Sequence, residues 1–311
     1  MHGRRHPTQS WLFESLDLFQ PDAHSVYVYA QSPEDRSAHS DAWEQRTQDV
    51  QFVRWISDSP TEVRLEAAGE EAVLPLRSRS ALEAFWSGFD DRSAYLDITG
   101  FAHHVWAPLL RAALNTLEDV RVVYVEPLDY TQSLTPTEGE IFDLSERIRG
   151  VAPLPGFASL NRGEADEFFL LALLGFEGTR FAYVLENVQP QGDRVIPIVG
   201  VPGFRSEYPF YAYHGNRSPL MSTRSWTAVE YVTANCPFRV FWTLQGIEER
   251  VQAPVKIAPI GTKPHALGAI LYAIHREGKV EIVYDHPVKT PKRTTGAARA
   301  LVYNVRSLLE G

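Results

Sequence analysis

Residues Pro254–Pro287 read P-V-K-I-A-P-I-G-T-K-P-H-A-L-G-A-I-L-Y-A-I-H-R-E-G-K-V-E-I-V-Y-D-H-P. This stretch of the 311-residue chain decides the fold class. Apolar runs at 255–260 and 280–283 predict two strands. Between them, apolar side chains recur at intervals of three and four, the spacing of one helix face: Leu267, Ile270, Leu271 and Ile274. Pro264 suits the first turn of that helix and Gly278 suits its end. The stretch therefore predicts a strand, a tight turn, a helix and a second strand.

A second stretch, Ala94–Pro127, repeats this organisation closer to the N-terminus. Each stretch has a Thr and a Gly where its first strand ends, a histidine entering the helix, and a final strand that reads V-x-V-V-Y or V-E-I-V-Y. Parallel strands need a long crossover, usually a helix, so each stretch predicts one βαβ unit. Shared patterning explains the likeness, and an internal duplication is the alternative.

Further apolar runs alternate with helical patterns, and they include the predicted strands Ser25–Ala30, Val50–Ile56 and Val195–Val199. Nearly continuous apolar strands that alternate with helices are typical of a mainly parallel sheet with helices on both faces. The sequence thus predicts a Rossmann-like α/β fold. We expect two packed lobes, an N-terminal α/β lobe over residues 1–90 and a Rossmann-like ligand-binding lobe over residues 91–311.

The middle and the C-terminal part of the chain carry weaker patterns. Residues 166–174 fit either a strand or a helix, because a short apolar run does not separate the two. The other predicted elements are strands at Phe181–Glu186 and Phe238–Leu244, helices near 138–149, 226–232 and 297–309, and an aromatic loop at Tyr208–Pro219.

Composition restricts the classes of function. Hydrophobic residues make up 44% of the chain and charged residues 22%, which is ordinary for a soluble globular protein. The net charge of -9 disfavours nonspecific binding to nucleic acid or to an anionic membrane. The single cysteine, Cys236, excludes an intrachain disulfide and suits a reducing compartment. Glu14 and Asp17 interrupt any signal-peptide core, so we expect a cytoplasmic protein without a membrane span.

The turn Gly261–Lys263 is the strongest candidate for a binding site. A helix N-terminus presents unpaired N–H groups and the positive end of the helix dipole, which attract anions, and Lys263 adds a full charge. In open α/β sheets, ligands bind at the carboxyl ends of strands, where this turn is expected. A glycine-lined connection with a solvated lysine is the alternative. The predicted ligand-binding residues are Thr99, Gly100, Gly261, Thr262, Lys263, His265, Arg205 and Arg217, the two arginines lying in loops rich in Gly, Pro and Tyr.

The Gly-Thr-Lys turn, followed by the small residues Ala266, Gly268 and Ala269, resembles the ligand loop of CRISPR-associated Rossmann-fold (CARF-like) sensor domains. The resemblance implies a nucleotide-like small ligand, such as a cyclic or linear oligonucleotide, in a bacterial signalling or defence-type pathway. Ile260 stands where those relatives usually carry a further glycine, and the sequence shows no nuclease segment. The resemblance therefore implies a sensor or adaptor whose output comes from a partner protein or from a homo-oligomer.

Four residues close to strand ends are candidates for acid–base chemistry: Asp97, His104, Glu126 and Asp285. They would suit a hydrolase or transferase that acts on a nucleotide or sugar phosphate, while structural hydrogen bonds are the favoured explanation for Asp97 and His104. A structural subunit without a small ligand is the third hypothesis. The patterns G-x-x-x-x-G-K-[ST], G-x-G-x-x-G, G-x-S-x-G and H-E-x-x-H do not occur, so we predict no metal and no cofactor.

Overall fold

The computed structural model of this chain describes residues 9–38, 40–137, 139–159 and 167–308. Its helices are α1 (Ser40–Arg46), α2 (Arg79–Ser87), α3 (His103–Thr116), α4 (Gly178–Val188), α5 (Tyr208–Gly215), α6 (Arg217–Ser222), α7 (Pro237–Val251) and α8 (Lys263–His275). Its strands are β1 (Gln9–Phe13), β2 (Ser25–Tyr29), β3 (Val50–Asp58), β4 (Glu62–Ala67), β5 (Glu70–Pro75), β6 (Ser93–Asp97), β7 (Val120–Tyr130), β8 (Gln132–Thr137), β9 (Glu140–Phe142), β10 (Ser145–Ile148), β11 (Ala152–Pro153), β12 (Phe169–Leu173), β13 (Val195–Gly200), β14 (Glu230–Val232), β15 (Val255–Pro259), β16 (Glu281–Tyr284), β17 (Pro287–Lys289) and β18 (Thr294–Asn304).

The chain forms two compact units. Unit 1 contains the chain up to Tyr130 together with the segment from Thr294 onward, and unit 2 is Thr131–Arg293. This division differs from the one expected near residue 90, because β6 pairs with β2 and β7 pairs with β6 in one sheet. β18 returns from the C-terminal end to pair with β7. The segment 91–311, expected to form one lobe, is therefore shared between the two units.

The described part of unit 1 is built on an eight-stranded sheet of order β1-β18-β7-β6-β2-β3-β4-β5. Its centre is parallel, since β3, β2, β6 and β7 run in the same direction, and antiparallel strands extend it on both sides. Every residue of β2 is buried, so both faces of the sheet are covered. On one face, Phe19 and Trp43 pack with Tyr27 and Tyr95.

The described part of unit 2 contains a six-stranded sheet of order β11-β16-β15-β12-β13-β14. All neighbouring pairs except β11–β16 are parallel. If the five parallel strands are numbered 1 to 5 along the chain from β12 to β16, their order across the sheet is 5-4-1-2-3. This is a doubly wound α/β order. Residues 170–173 of β12 are fully buried, and alternate ones pack with α4 while the others face the opposite side. The predicted Rossmann-like α/β class, with a mainly parallel sheet, is confirmed.

The two βαβ stretches predicted from the sequence are present, as β6–α3–β7 and β15–α8–β16. The ambiguous segment 166–174 contains the strand β12, and its first residue lies outside the described part of the chain. In the second βαβ stretch, the apolar runs end next to Gly261 and Asp285, which mark the ends of β15 and β16.

Two predicted strands are helices instead. Phe181–Glu186 lies inside α4, and Phe238–Leu244 lies inside α7. Each segment buries apolar side chains at intervals of three, which a helix places on one face: Phe181 with Val184, and Phe238 with Phe241 and Leu244. Pro237 occupies the first position of α7, where proline favours a helix start.

The predicted helices at 138–149, 226–232 and 297–309 are wrong in the described residues, from which residues 138 and 309 are excluded. The first segment contributes β9 and β10, and the second forms a 3-10 turn followed by β14. The third lies mostly in β18, because pairing with β1 and β7 satisfies its backbone on both sides. The predicted loop Tyr208–Pro219 contains α5 and the start of α6. Tertiary pairing thus overrode local propensity.

Candidate functional site

The strand order of unit 2 reverses between β12 and β15, the position where open α/β sheets usually bind ligands. At this point the two strand ends lie in backbone contact. A Cβ on Gly261 would lie 2.6 Å from the carbonyl O of Leu174, and one on Gly175 would lie 2.8 Å from the carbonyl O of Ile260. The close approach of two loops therefore requires these glycines, and it leaves no gap of side-chain size between them.

The segment Thr262–His265 caps α8. Thr262 Oγ1 accepts a hydrogen bond from the backbone N–H of His265 at 3.3 Å and donates one to the carbonyl O of Ala234 at 2.8 Å. Lys263 and His265 are only 6% and 1% exposed. At this helix N-terminus Thr262 therefore acts as the cap, and the side chains of Lys263 and His265 are buried.

His265 is a neutral buried side chain near neutral pH. Its Nε2 lies 3.1 Å from the carbonyl O of Thr233, so this nitrogen carries the hydrogen and donates it. Burial lowers the pKa of His265 to about 4, because the imidazolium form would lose its hydration, and nearby backbone carbonyls oppose the shift only in part. Its Nδ1 has no hydrogen-bond partner within the described ranges.

Unit 1 has a matching arrangement at the end of β6. A Cβ on Gly100 would lie 1.8 Å from the carbonyl O of Ala30, which follows β2. Thr99 Oγ1 accepts a hydrogen bond from a backbone N–H of β7 at 2.9 Å. Asp97 accepts hydrogen bonds from the N–H of Thr99 at 2.8 Å and from the hydroxyl of Tyr27 at 2.9 Å. The contacts of these predicted site residues tie neighbouring strands together.

The acid–base candidates are distributed over both units. In unit 1, His104 Nε2 lies 2.9 Å from Asp58 Oδ2, and Glu126 receives two N–H groups of Arg299 at 2.8 and 3.0 Å. Asp97, His104 and Glu126 thus belong to unit 1 and Asp285 to unit 2, and each has a structural hydrogen-bond or ion-pair partner.

Asp285 holds the start of α4 in place. It is fully buried and accepts two hydrogen bonds of 2.7 Å from Arg180, which also donates to the carbonyl O of Ile260 at 3.2 Å. Burial by itself lowers the pKa of Arg180, but the charge and hydrogen bonds of Asp285 outweigh it and raise the pKa above its ordinary value. The pair joins the first turn of α4 to the ends of β15 and β16.

A cavity of about 610 Å³ lies beside the first turn of α4. We call it the α4 cavity; its polar lining consists of Gly178 and Thr179 of α4, Glu140 of β9, and His214, Arg217 and Ser218 of the α5–α6 segment. A Cβ on Gly178 would lie 1.9 Å from the carbonyl O of Gly215, so backbone packing shapes the wall. The whole lining belongs to unit 2.

The first turn of α4 has no side-chain cap. Glu177 precedes the helix, but its carboxylate accepts hydrogen bonds from the N–H of Leu144 at 3.0 Å and the hydroxyl of Ser145 at 2.8 Å. No capping hydrogen bond is therefore made to the N–H groups of this turn by the side chain of Glu177, although its carboxylate lies 4.0 Å from Nη1 of Arg180. Arg217 adds a guanidinium group and Thr179 a hydroxyl, so these groups can hold an anion.

Of the predicted ligand-binding residues, Arg217 lines the α4 cavity. Arg205 lies outside its lining, 3.9 Å from Glu207 and over the ring of Tyr208. Gly178 and Thr179 were missed, although the sequence carries a signal for them. Residues 178–180 read G-T-R after an apolar strand, as 261–263 read G-T-K. This pattern was not recognised because the residues that follow it, Phe181–Glu186, were predicted to form a strand.

Among the described residues, none of the helices combines the length and the apolar character that crossing a bilayer requires. The described His, Cys, Asp and Glu side chains also form no group of three or more that could hold a metal ion.

No protein-family model matches this sequence, and no curated protein matches it. The solved structures that align with it include two of low similarity. A protein of Pseudomonas aeruginosa UCBPP-PA14 described as a universal stress protein aligns over 85% of this chain and 83% of its own, with 10% identity and a TM-score of 0.26. A type III CRISPR defence DNA nuclease activated by cyclic oligoadenylate aligns over 86% of this chain, with 14% identity and a TM-score of 0.27. The alignment spans 54% of that nuclease.

Proposed function

We propose that unit 2 binds a small, phosphate-bearing, nucleotide-like ligand in the α4 cavity, and that the chain acts as a sensor or adaptor in a bacterial signalling or defence-type pathway. The cavity beside the uncapped first turn of α4, with Arg217 in its lining, carries this proposal. Its volume of about 610 Å³ lies within the range of roughly 300–1,000 Å³ that is typical of small-molecule sites. The output passes to a partner protein or to a second copy of the chain.

The strand order supports this location. α4 directly follows β12, the first strand of the doubly wound order, and in such folds the helix after the first strand receives a phosphate group at its N-terminus. The helix dipole contributes about half a positive charge there. A guanidinium group such as that of Arg217 can pair with phosphate through two parallel N–H bonds. We therefore propose the anion site at the N-terminus of α4 instead of the N-terminus of α8.

A thermal-shift series tests the proposal. The purified chain is mixed with inorganic phosphate, nucleoside mono-, di- and triphosphates, and cyclic oligonucleotides. A ligand at 100 times its Kd stabilises the native state by about 2.7 kcal/mol, so we expect a clear rise in Tm with at least one of them. Stabilisation by no member of the series would contradict the proposal.

Two arginine variants locate the site. Arg217→Ala should weaken binding at least tenfold, because a hydrogen bond to a charged group contributes roughly 1.5–3 kcal/mol. Arg239→Ala removes the same charge from an exposed position on α7 and should leave the affinity unchanged. Equal losses in both variants would show a general charge effect and would contradict binding in the α4 cavity.

A further inference from the structure

β14 forms one edge of the six-stranded sheet of unit 2. On its inner side, the carbonyl O of Val232 accepts a hydrogen bond of 2.9 Å from the N–H of Val201, which follows β13. Successive residues of a strand direct their backbone groups to opposite sides, so the N–H and C=O of Tyr231 point away from β13. Among the described strands, none pairs with this outer side.

Three large aromatic side chains are exposed around this strand, and we call them with β14 the β14 edge. Tyr231 is 59% exposed, and Trp226, in the 3-10 turn that leads into β14, is 54% exposed. Phe210 on α5 is 74% exposed. It lies one helix turn from Tyr213, whose hydroxyl is 2.6 Å from that of Tyr231. Exposed apolar groups of this kind mark interaction surfaces when they cluster.

The outer side of β14 is complementary to a second copy of itself. In an antiparallel pair of β14 strands centred on Tyr231, each Tyr231 N–H donates to the Tyr231 carbonyl O of the other copy. Glu230 then lies opposite Val232 of the second copy, so like charges do not face each other directly. The carboxylate of Glu230 is also paired within its own chain, 2.6 Å from Arg250.

The other sheet edges of the described structure are less suited to such pairing. β11 has two residues, and one of them is Pro153, which has no N–H to donate. β5 begins with Glu70 and Glu71, and charged side chains oppose pairing at an edge. β1 is uncharged, but its aromatic residue Trp11 is only 36% exposed and lies against Arg121. β1 therefore serves as the control edge.

The exposed area is large enough for a dimer. A buried aromatic side chain removes about 150–250 Å² from water, so the exposed parts of Phe210, Trp226 and Tyr231 amount to roughly 400 Å² per copy. A stable interface buries about 800 Å² per partner. These three side chains supply about half of that area, and the paired backbone and its flanking residues add to it.

From the outward backbone groups, the exposed aromatic side chains and the absence of opposed charges, we infer that two copies of this chain form a symmetric dimer through the β14 edge without a ligand. The inference goes beyond the proposed function and uses none of the residues that line the α4 cavity. A chain that proves monomeric therefore leaves the proposal for that cavity standing.

Sedimentation velocity of the full chain, without ligand and over a range of concentrations, tests the dimer. We expect a species with twice the mass of one chain. Tyr231→Lys sets two like charges opposite each other at the centre of the pair and should raise the Kd of the dimer at least thirtyfold. Phe210→Ser, at a more exposed position, should raise it about tenfold and keeps the test valid if Tyr231→Lys fails to fold.

Leu12→Lys adds the same charge to the exposed edge strand β1 and should change the Kd less than twofold. Because the chain has a net charge of -9, an added lysine lowers the general repulsion between copies, so a loss in Tyr231→Lys alone is a local effect. A monomeric wild-type chain overturns the inference. A dimer that survives both changes at the β14 edge, or that Leu12→Lys weakens equally, also overturns it.

Cross-linking tests the register. In a Cys236→Ser background, Tyr231→Cys places two thiols in one hydrogen-bonded antiparallel pair, where Cα atoms are about 5.5 Å apart, a distance that a disulfide spans. Mild oxidation should give a covalent dimer. Trp226→Cys lies five residues earlier, so its two copies stand toward opposite ends of the paired strands and should not cross-link. Equal cross-linking of both variants, or of neither, overturns the proposed pairing.

Discussion

The turn after β6 in unit 1 and the turn after β15 in unit 2 occupy equivalent positions. Each of these strands lies beside the first parallel strand of its own unit, β2 or β12. In each turn a glycine packs closely against the loop that follows this neighbouring strand. Gly100 packs against Ala30, and Gly261 packs against Leu174. The likeness between the two stretches of sequence is therefore a likeness of packing between strand ends.

The likeness extends to a buried arginine in each unit. Arg36 follows β2, donates to the hydroxyl of Tyr124 at 2.9 Å and lies 5.5 Å from the centre of that ring. Arg180 follows β12, binds Asp285 and lies 5.9 Å from the ring centre of Tyr284. The two tyrosines are the last residues of V-x-V-V-Y and V-E-I-V-Y. Each unit thus uses an arginine after its first parallel strand to hold the middle of β7 or the end of β16.

The two units have different elements after their first parallel strand. In unit 2, α4 begins shortly after β12 and its first turn borders a cavity. In unit 1, the next element after β2 is a 3-10 turn at Asp35–Ser37, within which Arg36 pairs with Glu34. The proposed anion site of unit 2 depends on a long helix with open space before its first turn, whereas β2 is followed first by this 3-10 turn.

Replacing the two turn glycines should damage both units, and unit 1 more. Gly100→Ala places a Cβ 1.8 Å from the carbonyl O of Ala30, so the backbone must move, and we expect to lose about 4 kcal/mol or more of the free energy of unfolding. Gly261→Ala, with a nearest contact of 2.6 Å, should lose about 2–3 kcal/mol. Urea denaturation measures both losses.

Gly246→Ala is the control for these variants, because a Cβ at this position of α7 meets no atom within 4 Å. It should be neutral or slightly stabilising, since alanine favours a helix over glycine by up to about 1 kcal/mol. Wild-type stability of Gly100→Ala would contradict the equivalence of the two turns.

Removing the acidic partner of each buried arginine sharpens the comparison. Asp285→Asn removes the carboxylate that binds Arg180 through two hydrogen bonds of 2.7 Å and leaves it with Glu177 at 4.0 Å, so the change should cost about 3–4 kcal/mol of stability. Glu34→Gln should cost about 2 kcal/mol, because Arg36 keeps its hydrogen bond to Tyr124. Chemical denaturation compares these variants with Asp143→Asn, which changes an exposed carboxylate and should have no effect. A larger loss in Glu34→Gln would reverse the predicted order.

The pH dependence of stability should report on unit 2 through His265. The pKa of this side chain is about 4 in the folded chain, against about 6.5 when it is unfolded. As the pH falls below 6.5, His265 binds a proton in the unfolded state but stays neutral in the folded state until the pH nears 4. Stability that is present above pH 6.5 is therefore lost toward pH 4, by about 3 kcal/mol.

His265→Gln should flatten this part of the stability profile, measured by denaturation at several pH values between 4 and 7. His275→Gln, which changes an exposed histidine at the end of α8, should leave it unchanged. An identical pH profile for His265→Gln and the wild-type chain would show that burial does not suppress the charge of His265.

Sequence patterns predicted elements well where a long apolar run is bounded by turn residues. The stretches Ala94–Pro127 and Pro254–Pro287 both have the predicted strand–helix–strand structure. The patterns failed over Phe181–Glu186 and Phe238–Leu244, where short apolar runs fit both periodicities and the partner elements lie far away in the sequence. For the site, Arg217 was named, but the helix that accompanies it was not recognised.

The sequence by itself determined the α/β class, because apolar runs that alternate with helical patterns can be buried only in a sheet covered on both faces. It also determined where the turns with Thr and Gly lie. Only the tertiary structure decided which helix mouth is open. The loop at Leu174 packs against Gly261 at one mouth, while the carboxylate of Glu177 binds Ser145 and leaves the other uncapped. These contacts join residues far apart in the sequence, and no local window of sequence contains both partners.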